Sequence, residues 1–335
     1  MPDENHDEEH MARALSLATA VRGTTAPNPW VGCVVVPAAG GSDPVFEGAT
    51  APPGGPHAEV TALAAAASAG LARGSTLYST LEPCSHTGRT PPCVDAIVRG
   101  GVARVVVGML DPDPRVAGSG VASLRAAGVR VDVGVAAGDV AEQLAPYVKH
   151  RRTGRPWVVL KLASTLDGRI AAPDGTSRWI TGEAARRDAH RLRAGSDAVV
   201  VGAGTVRADD PELTARLDPP ARRQPLRVVL GQAPEGARIR PALELSGDLG
   251  SVLDDLGARG VLQVLVEGGA GVAGDFHRSG LVDRYVLYLA PAFAGGDDGR
   301  PMFAGPGAVT VDDLFRGTLV SVEQVGQDLR VEVAA

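Results

Sequence analysis

A chain of 335 residues is long enough for about two domains, and its composition, 44% hydrophobic but only 4% aromatic, fits α/β domains with cores of small aliphatic side chains. The net charge of −6 excludes a large nucleic-acid surface, because neutralising many phosphates takes a basic excess. No apolar run is long enough to span a bilayer and the acidic start "MPDENHDEEHMARAL" is unlike a signal or transit peptide, so a cytoplasmic protein with a small-molecule substrate is expected.

In chain order, the patterns predict a helix over about residues 7–20, a strand over 31–36, a helix from His57 in "HAEVTALAAAASAG" and a strand near 76–81. A short helix from Cys93, the strand "VARVVVGM", a helix over about 119–127, the strand "VRVDVGV" and a helix ending near Arg152 follow. Helices alternating with buried aliphatic strands make a layered α/β domain. The stretch "KHRRTGRP" is basic and punctuated by Gly and Pro, as expected of a domain boundary. The expected partition is therefore 1–148, a linker over 149–156, and 157–335. In the second part the predicted strands are "WVVLKLA", "DAVVVG", "LRVVLG", "VLQVLVEGG" and "DRYVLYLAP". A charged helix over 183–193, a helix reaching about Ser279 and a terminal hairpin around "VEQVGQDLRVEV" complete it. "RRDAHRLR" reads as the solvated face of a helix rather than a phosphate patch, and "DPPARRQP" as a surface loop.

Three cysteines are an odd number for a disulfide framework, yet two of them stand together in "LEPCSHTGRTPPC". Upstream, "PHAEV" supplies His57 and Glu59. H-x-E followed by Pro83–Cys84 and a second cysteine is the zinc-deaminase signature, although eight residues, not two, separate Cys84 from Cys93. Two thiolates and one neutral imidazole balance Zn²⁺ and leave one tetrahedral position open for water that ionises near neutral pH. Glu59 would take the proton of that water and return it to a departing amine. Taken singly, the cysteines are compatible with buried apolar fillers and His57 with a surface helix start; their order, with Glu59 and Pro83 in register, points to a metal. Cys33, inside the strand run "VGCVVV", reads as core.

The segment "GAGVAG", Gly269 to Gly274, matches G-x-G-x-x-G directly after the strand "VLQVLVE". Too few residues follow for the second half of a Rossmann domain. Glycines between a strand and a helix start still let backbone N–H groups approach a pyrophosphate, so a dinucleotide held in a different sheet is expected.

With "TAPNPWVGCVVV", "HAEV", "TLEPCSHTGRTPPC" and "DPDPRVAGSG" in the first half, and "LKLASTLDGRIA", "SRWITG", "HRLRAGSDAVVVGAGTV", "ADDPELTAR" and "VEGG" in the second, the chain resembles the bifunctional deaminase/reductases of riboflavin biosynthesis. The resemblance runs over about residues 7–291. It implies an α/β fold: an N-terminal cytidine-deaminase-like three-layer α/β/α domain, then a dihydrofolate-reductase-like α/β domain. It implies zinc-dependent hydrolytic deamination of 2,5-diamino-6-(5-phosphoribosylamino)pyrimidin-4-one, followed by NADPH-dependent reduction of the ribosyl group to ribityl. Carried over residue by residue, it implies His57, Cys84 and Cys93 as zinc ligands, Glu59 as the catalytic proton carrier, and Asn28 and Arg89 as contacts to the pyrimidine and the sugar phosphate. In the second half it implies Ala163, Trp179, Thr205, Asp209 and the loop Gly269, Ala270, Gly271, Val272, Ala273, Gly274 and Asp275 against NADPH. Lys161, Ser177, Leu213, Arg216 and Glu267 are implied against the substrate. One zinc per chain and pairing of chains through the reductase domain also follow from the resemblance, with no nucleic-acid or membrane partner.

Three departures stand out. Thr50 occupies a position, seven residues before His57, where the family often has histidine. Asp113 stands where asparagine is common. The stretch between "LRVVLG" and "VEGG" is short, so the adenine side of the cofactor site is expected to differ.

Overall fold

The computed structural model describes residues 4–38, 44–88, 90–114 and 116–335, which fall into two units, Met1–Gly154 and Arg155–Ala335. The first unit runs α1 (Glu4–Val21), β1 (Gly32–Val36), β2 (Phe46–Ala49), α2 (Ala58–Ser68), β3 (Thr76–Leu81), α3 (Cys93–Gly100), β4 (Arg104–Met109), α4 (Ser119–Ala126), β5 (Arg130–Val133), α5 (Ala137–Gln143) and α6 (Ala145–Thr153). Its five strands lie in the order β2-β1-β3-β4-β5. β1 is antiparallel to both β2 and β3, whereas β3, β4 and β5 are parallel.

Central strands buried on both faces read as continuous aliphatic runs: Val34, Val35, Val105, Val106 and Val107 are all fully buried, and so is Cys33, as its place in the strand led us to expect. α2 presents Ala58, Ala62 and Ala66 to the core, one every fourth residue. These small side chains let the helix lie almost against the sheet. A Cβ on Gly48 of β2 would stand 2.2 Å from the Ala58 carbonyl oxygen, so that close approach fixes where α2, and His57 before it, begin. α1 is tied down by charge as well as packing. The Arg104 guanidinium, on β4, donates to both Asp7 carboxylate oxygens at 2.7 Å and to Asp132 at 2.6 Å, and Tyr78 donates to Asp7 at 2.8 Å.

β2 had no counterpart in the sequence reading, because a four-residue "FEGA" strand is too short to display alternation. Residues 149–153 form the end of α6, the helix expected to end near Arg152, and Gly154 closes it at φ 76.

The second unit runs β6 (Trp157–Thr165), β7 (Arg169–Ala171), α7 (Glu183–Ala194), β8 (Ala198–Gly202), α8 (Ala203–Asp209), β9 (Leu226–Leu230), β10 (Leu243–Leu245), α9 (Leu249–Ala258), β11 (Gln263–Val266), α10 (Ala270–Arg278), β12 (Arg284–Ala290), β13 (Arg300–Pro301), β14 (Thr318–Val325) and β15 (Asp328–Ala334). Eight strands form one sheet in the order β10-β9-β8-β11-β6-β12-β15-β14, parallel through β12 and closed by the antiparallel hairpin β14–β15. Alternation along β6 divides two cores: Val158, Leu160 and Leu162 pack with Leu253, Leu256 and Phe276, while Val159 packs with Val199, Val201, Ile239 and Ala185. The short stretch before "VEGG" forms β10 and α9, the latter capped by Asp248 accepting from the Ser251 N–H.

Candidate active sites

In the first unit the functional side chains gather at the carboxyl ends of β3 and β4, where parallel sheets commonly hold ligands. His57 is the N-cap of α2, in extended backbone (φ −74, ψ 163). Cys84 follows β3, and Cys93 is the first residue of α3 after Pro92, where proline costs the helix no hydrogen bond. His57 Nδ1 lies 3.2 Å from Cys93 Sγ and 3.6 Å from Cys84 Sγ, and the three ligand atoms all fall within 4.8 Å of one another. An ion held about 2.0–2.3 Å from each of three tetrahedral donors needs edges of roughly 3.3–3.8 Å. The nitrogen and two sulfurs therefore suit Zn²⁺ in both type and spacing. The Thr90 hydroxyl, 3.3 Å from His57 Nε2, orients the ring from behind, as outer partners of metal-binding histidines do.

Electrostatics divides the roles further. Hydrogen bonding from the Cys93 thiol, then from His57 and the Cys93 backbone N–H, draws Cys84 down to about 4; that N–H donates to Cys84 Sγ at 3.3 Å. Glu59, in the first turn of α2, is 4% exposed. Burial pushes its carboxyl up to about 7, the range in which a group both takes and gives protons at neutral pH.

The remaining expectations for this unit are placed unevenly. Asn28 is half-buried in the turn before β1, its N–H donating to the Thr25 carbonyl at 2.9 Å. Arg89 lies outside the described residues. Thr50 is 4% exposed, and both its N–H and its hydroxyl are engaged with the Val31 backbone at 3.0 Å; this departure thus helps close the β1–β2 ladder. Asp113 is buried in a turn, its N–H donating to Asp111 Oδ1 at 2.9 Å. Glu82, not singled out in the sequence reading, is buried beside Cys84 with its carboxylate accepting from main-chain amides.

The second unit encloses a cavity of about 1400 Å³ at the carboxyl ends of β6, β8 and β11. Lys161, Ala163, Ser177, Trp179, Thr205, Asp209, Leu213, Arg216, Glu267 and residues 269–272 all line it. Gly269 is the N-cap of α10, so the first N–H groups of that helix have no partner within the helix. Thr205, in α8, accepts from the Gly269 N–H at 3.2 Å. A side chain on Gly271 would meet nothing within 4 Å, which leaves the room that a pyrophosphate against the helix start requires. The donor set therefore fits NADPH on its phosphate side. Trp179 is 68% exposed at the rim, with the Arg186 guanidinium 4.4 Å over its ring; it is not a core residue.

Two placements stand out here. Ala273, Gly274 and Asp275 do not line the cavity: Ala273 is fully buried in the core, Gly274 packs on the Ala304 carbonyl, and Asp275 pairs with Arg278. The glycine pattern is a helix start, and past its first turn the side chains rotate away. Likewise α7 is not merely a solvated charged helix. His190 and Arg193 turn into the cavity, where Arg193 clasps both Glu267 oxygens at 2.5 and 2.9 Å. Burial alone would raise the Glu267 carboxyl, but Arg193 and then Lys161, whose Nζ is 3.8 Å away, outweigh it and hold it at about 2. Burial pushes the Lys161 ammonium below the ordinary lysine range. Arg216, by contrast, is largely exposed and pairs with Glu212 at 3.1 Å.

Comparison with known proteins follows the same division. Residues 4–109 match the cytidine and deoxycytidylate deaminase zinc-binding region, and residues 156–331 match the RibD C-terminal domain. The chain is 44% identical to the riboflavin biosynthesis protein RibD of Mycobacterium tuberculosis, over 98% of this chain and 97% of the relative. It is 39% identical to the RibD of Escherichia coli K12, over 96% and 98%. Among solved structures, Acinetobacter baumannii RibD is similar with a TM-score of 0.90 at 37% identity, covering 99% of both chains. A deaminase/reductase from Thermotoga maritima is similar with a TM-score of 0.90 at 35% identity, again covering 99% of both. A zinc-binding deaminase unit followed by a reductase unit defines a bifunctional deaminase/reductase whose cofactors are zinc and NADPH. The chain belongs to the RibD family of riboflavin biosynthesis proteins. Among the described residues, no helix is long and apolar enough to cross a membrane.

Proposed function

We propose that the first unit hydrolyses the 2-amino group of 2,5-diamino-6-(5-phosphoribosylamino)pyrimidin-4-one and that the second reduces the ribosyl group of the resulting uracil to ribityl. The compounds are those named by the Thermotoga maritima structure's description as a diaminohydroxyphosphoribosylaminopyrimidine deaminase and 5-amino-6-(5-phosphoribosylamino)uracil reductase. The observation that carries the deaminase half is Glu59: a purely structural metal site has no use for a buried carboxyl beside its ligands. His57, Cys84 and Cys93 hold the zinc, which when bound lowers the pKa of water to make a nucleophile. Glu59 accepts the proton of the attacking water and hands it to the departing amine. Asn28 and Arg89 bind the pyrimidine and its sugar phosphate.

In the second unit NADPH, when bound, supplies the hydride. Ala163, Trp179, Thr205, Asp209 and residues 269–272 hold the cofactor; Ser177, Leu213, Arg216 and Glu267 hold the substrate, Arg216 offering its planar fork to the phosphate. Glu267, kept ionised by Arg193, acts as an acceptor of hydrogen bonds and not as an acid. Lys161 contacts the sugar or its opened form. The enzyme acts in the cytoplasm, and two copies pair through the reductase unit. The exposed edge strand β14, with Leu319 and Val322 uncovered, supports that pairing.

The test is to incubate the protein with the diaminopyrimidine ribosyl phosphate and follow the products by mass. Deamination without NADPH and the ribityl product with it are expected; an unchanged mass in both conditions overturns the assignment. A finer check concerns the cofactor loop. Because the space beyond Gly271 is open, Gly271→Val should leave the apo melting temperature near that of wild type, raise the NADPH concentration needed for reduction severely, and spare deamination. Unchanged NADPH affinity in a normally folded variant would move the pyrophosphate to the start of α8.

A further inference from the structure

Glu82 lies between the last residue of β3 and the metal-site turn, two residues before Cys84, and is 4% exposed. Its carboxylate accepts four main-chain hydrogen bonds from one stretch of chain. Oε2 takes the N–H groups of Asp111 (3.1 Å) and Gly118 (2.9 Å), and Oε1 takes those of Gly120 (2.8 Å) and Val121 (3.0 Å). Those amides belong to the segment leaving β4 and to the first turn of α4. β3 and β4 are parallel neighbours with Leu81 opposite Met109, so the Cys84 turn and the post-β4 segment rise side by side from the same sheet edge. Two further ties join them. The Ser85 and Ser119 hydroxyls are 2.8 Å apart, and a Cβ on Gly120 would stand 2.0 Å from the Pro83 carbonyl oxygen.

We propose that Glu82 is a positioning residue of the deaminase: it touches neither metal nor pyrimidine, but holds Asp111 and the start of α4 against the metal-site turn as one wall of the substrate site. The proposal rests on the reading of the first unit as a deaminase. A carboxylate suits this task because it offers only acceptors, and four converging N–H groups need acceptors alone. Glutamine in its place turns an NH₂ group toward two of the donors.

The experiment uses the full chain with zinc bound. Glu82→Gln should make the amides of Asp111, Gly118, Gly120 and Val121 exchange with deuterium about tenfold faster or more. Zinc should remain at one per chain, and the deaminase KM should rise about tenfold with kcat within about threefold, the mark of lost uniform binding. Unchanged exchange, or loosened amides with an unmoved KM, overturns the proposal. Zinc loss in step with activity also overturns it, making Glu82 a support of the metal turn. Should Glu82→Gln fail to fold, the Ser85→Ala/Ser119→Ala pair cuts another tie without burying an unpaired donor, and a KM raised about threefold is expected from it; an unmoved KM overturns the proposal. Wild-type protein that leaves the diaminopyrimidine unchanged would overturn the reading of the unit as this deaminase, whereas normal wild-type turnover with unmoved variants overturns only the role of Glu82.

Discussion

Glu59→Gln should keep its zinc and lose deamination by about a hundredfold or more, the usual contribution of a positioned acid–base group. The substitution is nearly isosteric at a side chain that is 4% exposed, so packing survives while the group that moves the proton does not. Cys84→Ala makes the opposite division. With two protein ligands left the site binds metal poorly, so zinc content falls together with activity. Metal analysis beside a product assay separates the two variants, and zinc missing from Glu59→Gln would refute this allocation of roles. Reduction of the pre-deaminated substrate serves as the control, because both changes lie in the other unit.

Arg193→Leu is expected to do the greatest damage in the reductase unit. Arg193 and Glu267 are 14% and 9% exposed in their side chains, and removing one partner of a buried pair costs about 3–5 kcal/mol. Lys161 remains, but at 3.8 Å and with a single point charge it replaces neither of the two hydrogen bonds. Reduction should be largely lost and deamination retained. The pH dependence has a definite sign. Glu267 is held at about 2, below its ordinary 4.5, so its contribution to stability is complete above about 4.5 and drains away as the pH falls toward 2. Hydrogen exchange of β6 and β11 in urea, at neutral and acid pH, measures this. Wild type should lose protection in acid over that window, and the variant, already lacking the pair, should lose much less. Equal neutral-pH stability of the two proteins would mean that the pair is neutral in net energy.

How much of this was legible in the sequence depended on whether a residue's partners are set by chemistry or by packing. His57, Glu59, Cys84 and Cys93 could be read because zinc restricts both ligand type and spacing, and the structure gathers the three ligands. The aliphatic core strands, alternating with helices, announced layered α/β domains. Glu82 could not be read, because its partners are main-chain amides that carry no side-chain signature. Arg193 was hidden inside a helix read as a solvated charged face, although Ala185 and Ala189, four residues apart, mark its buried side. Its polar partners come from distant elements: Tyr288 of β12 donates to Asp188 at 2.6 Å, and Glu267 after β11 accepts from Arg193. The stretch 269–275 shows a related limit: a glycine pattern marks where a helix begins, not how far around it a ligand reaches.

The bond network around Arg104 also bears on how this enzyme can be divided. A free-standing deaminase trimmed to begin at the first strand would retain the metal ligands and the proton carrier, and would look intact on paper. It would nevertheless strand a guanidinium that is 10% exposed, with Asp132 as its remaining carboxylate partner among the described residues, and leave the Tyr78 hydroxyl without its Asp7 acceptor. Such a fragment should be recovered as aggregate, whereas one that starts ahead of Asp7 should stay in solution and bind zinc, so the smallest heritable deaminase module includes a helix that supplies no atom to the chemistry.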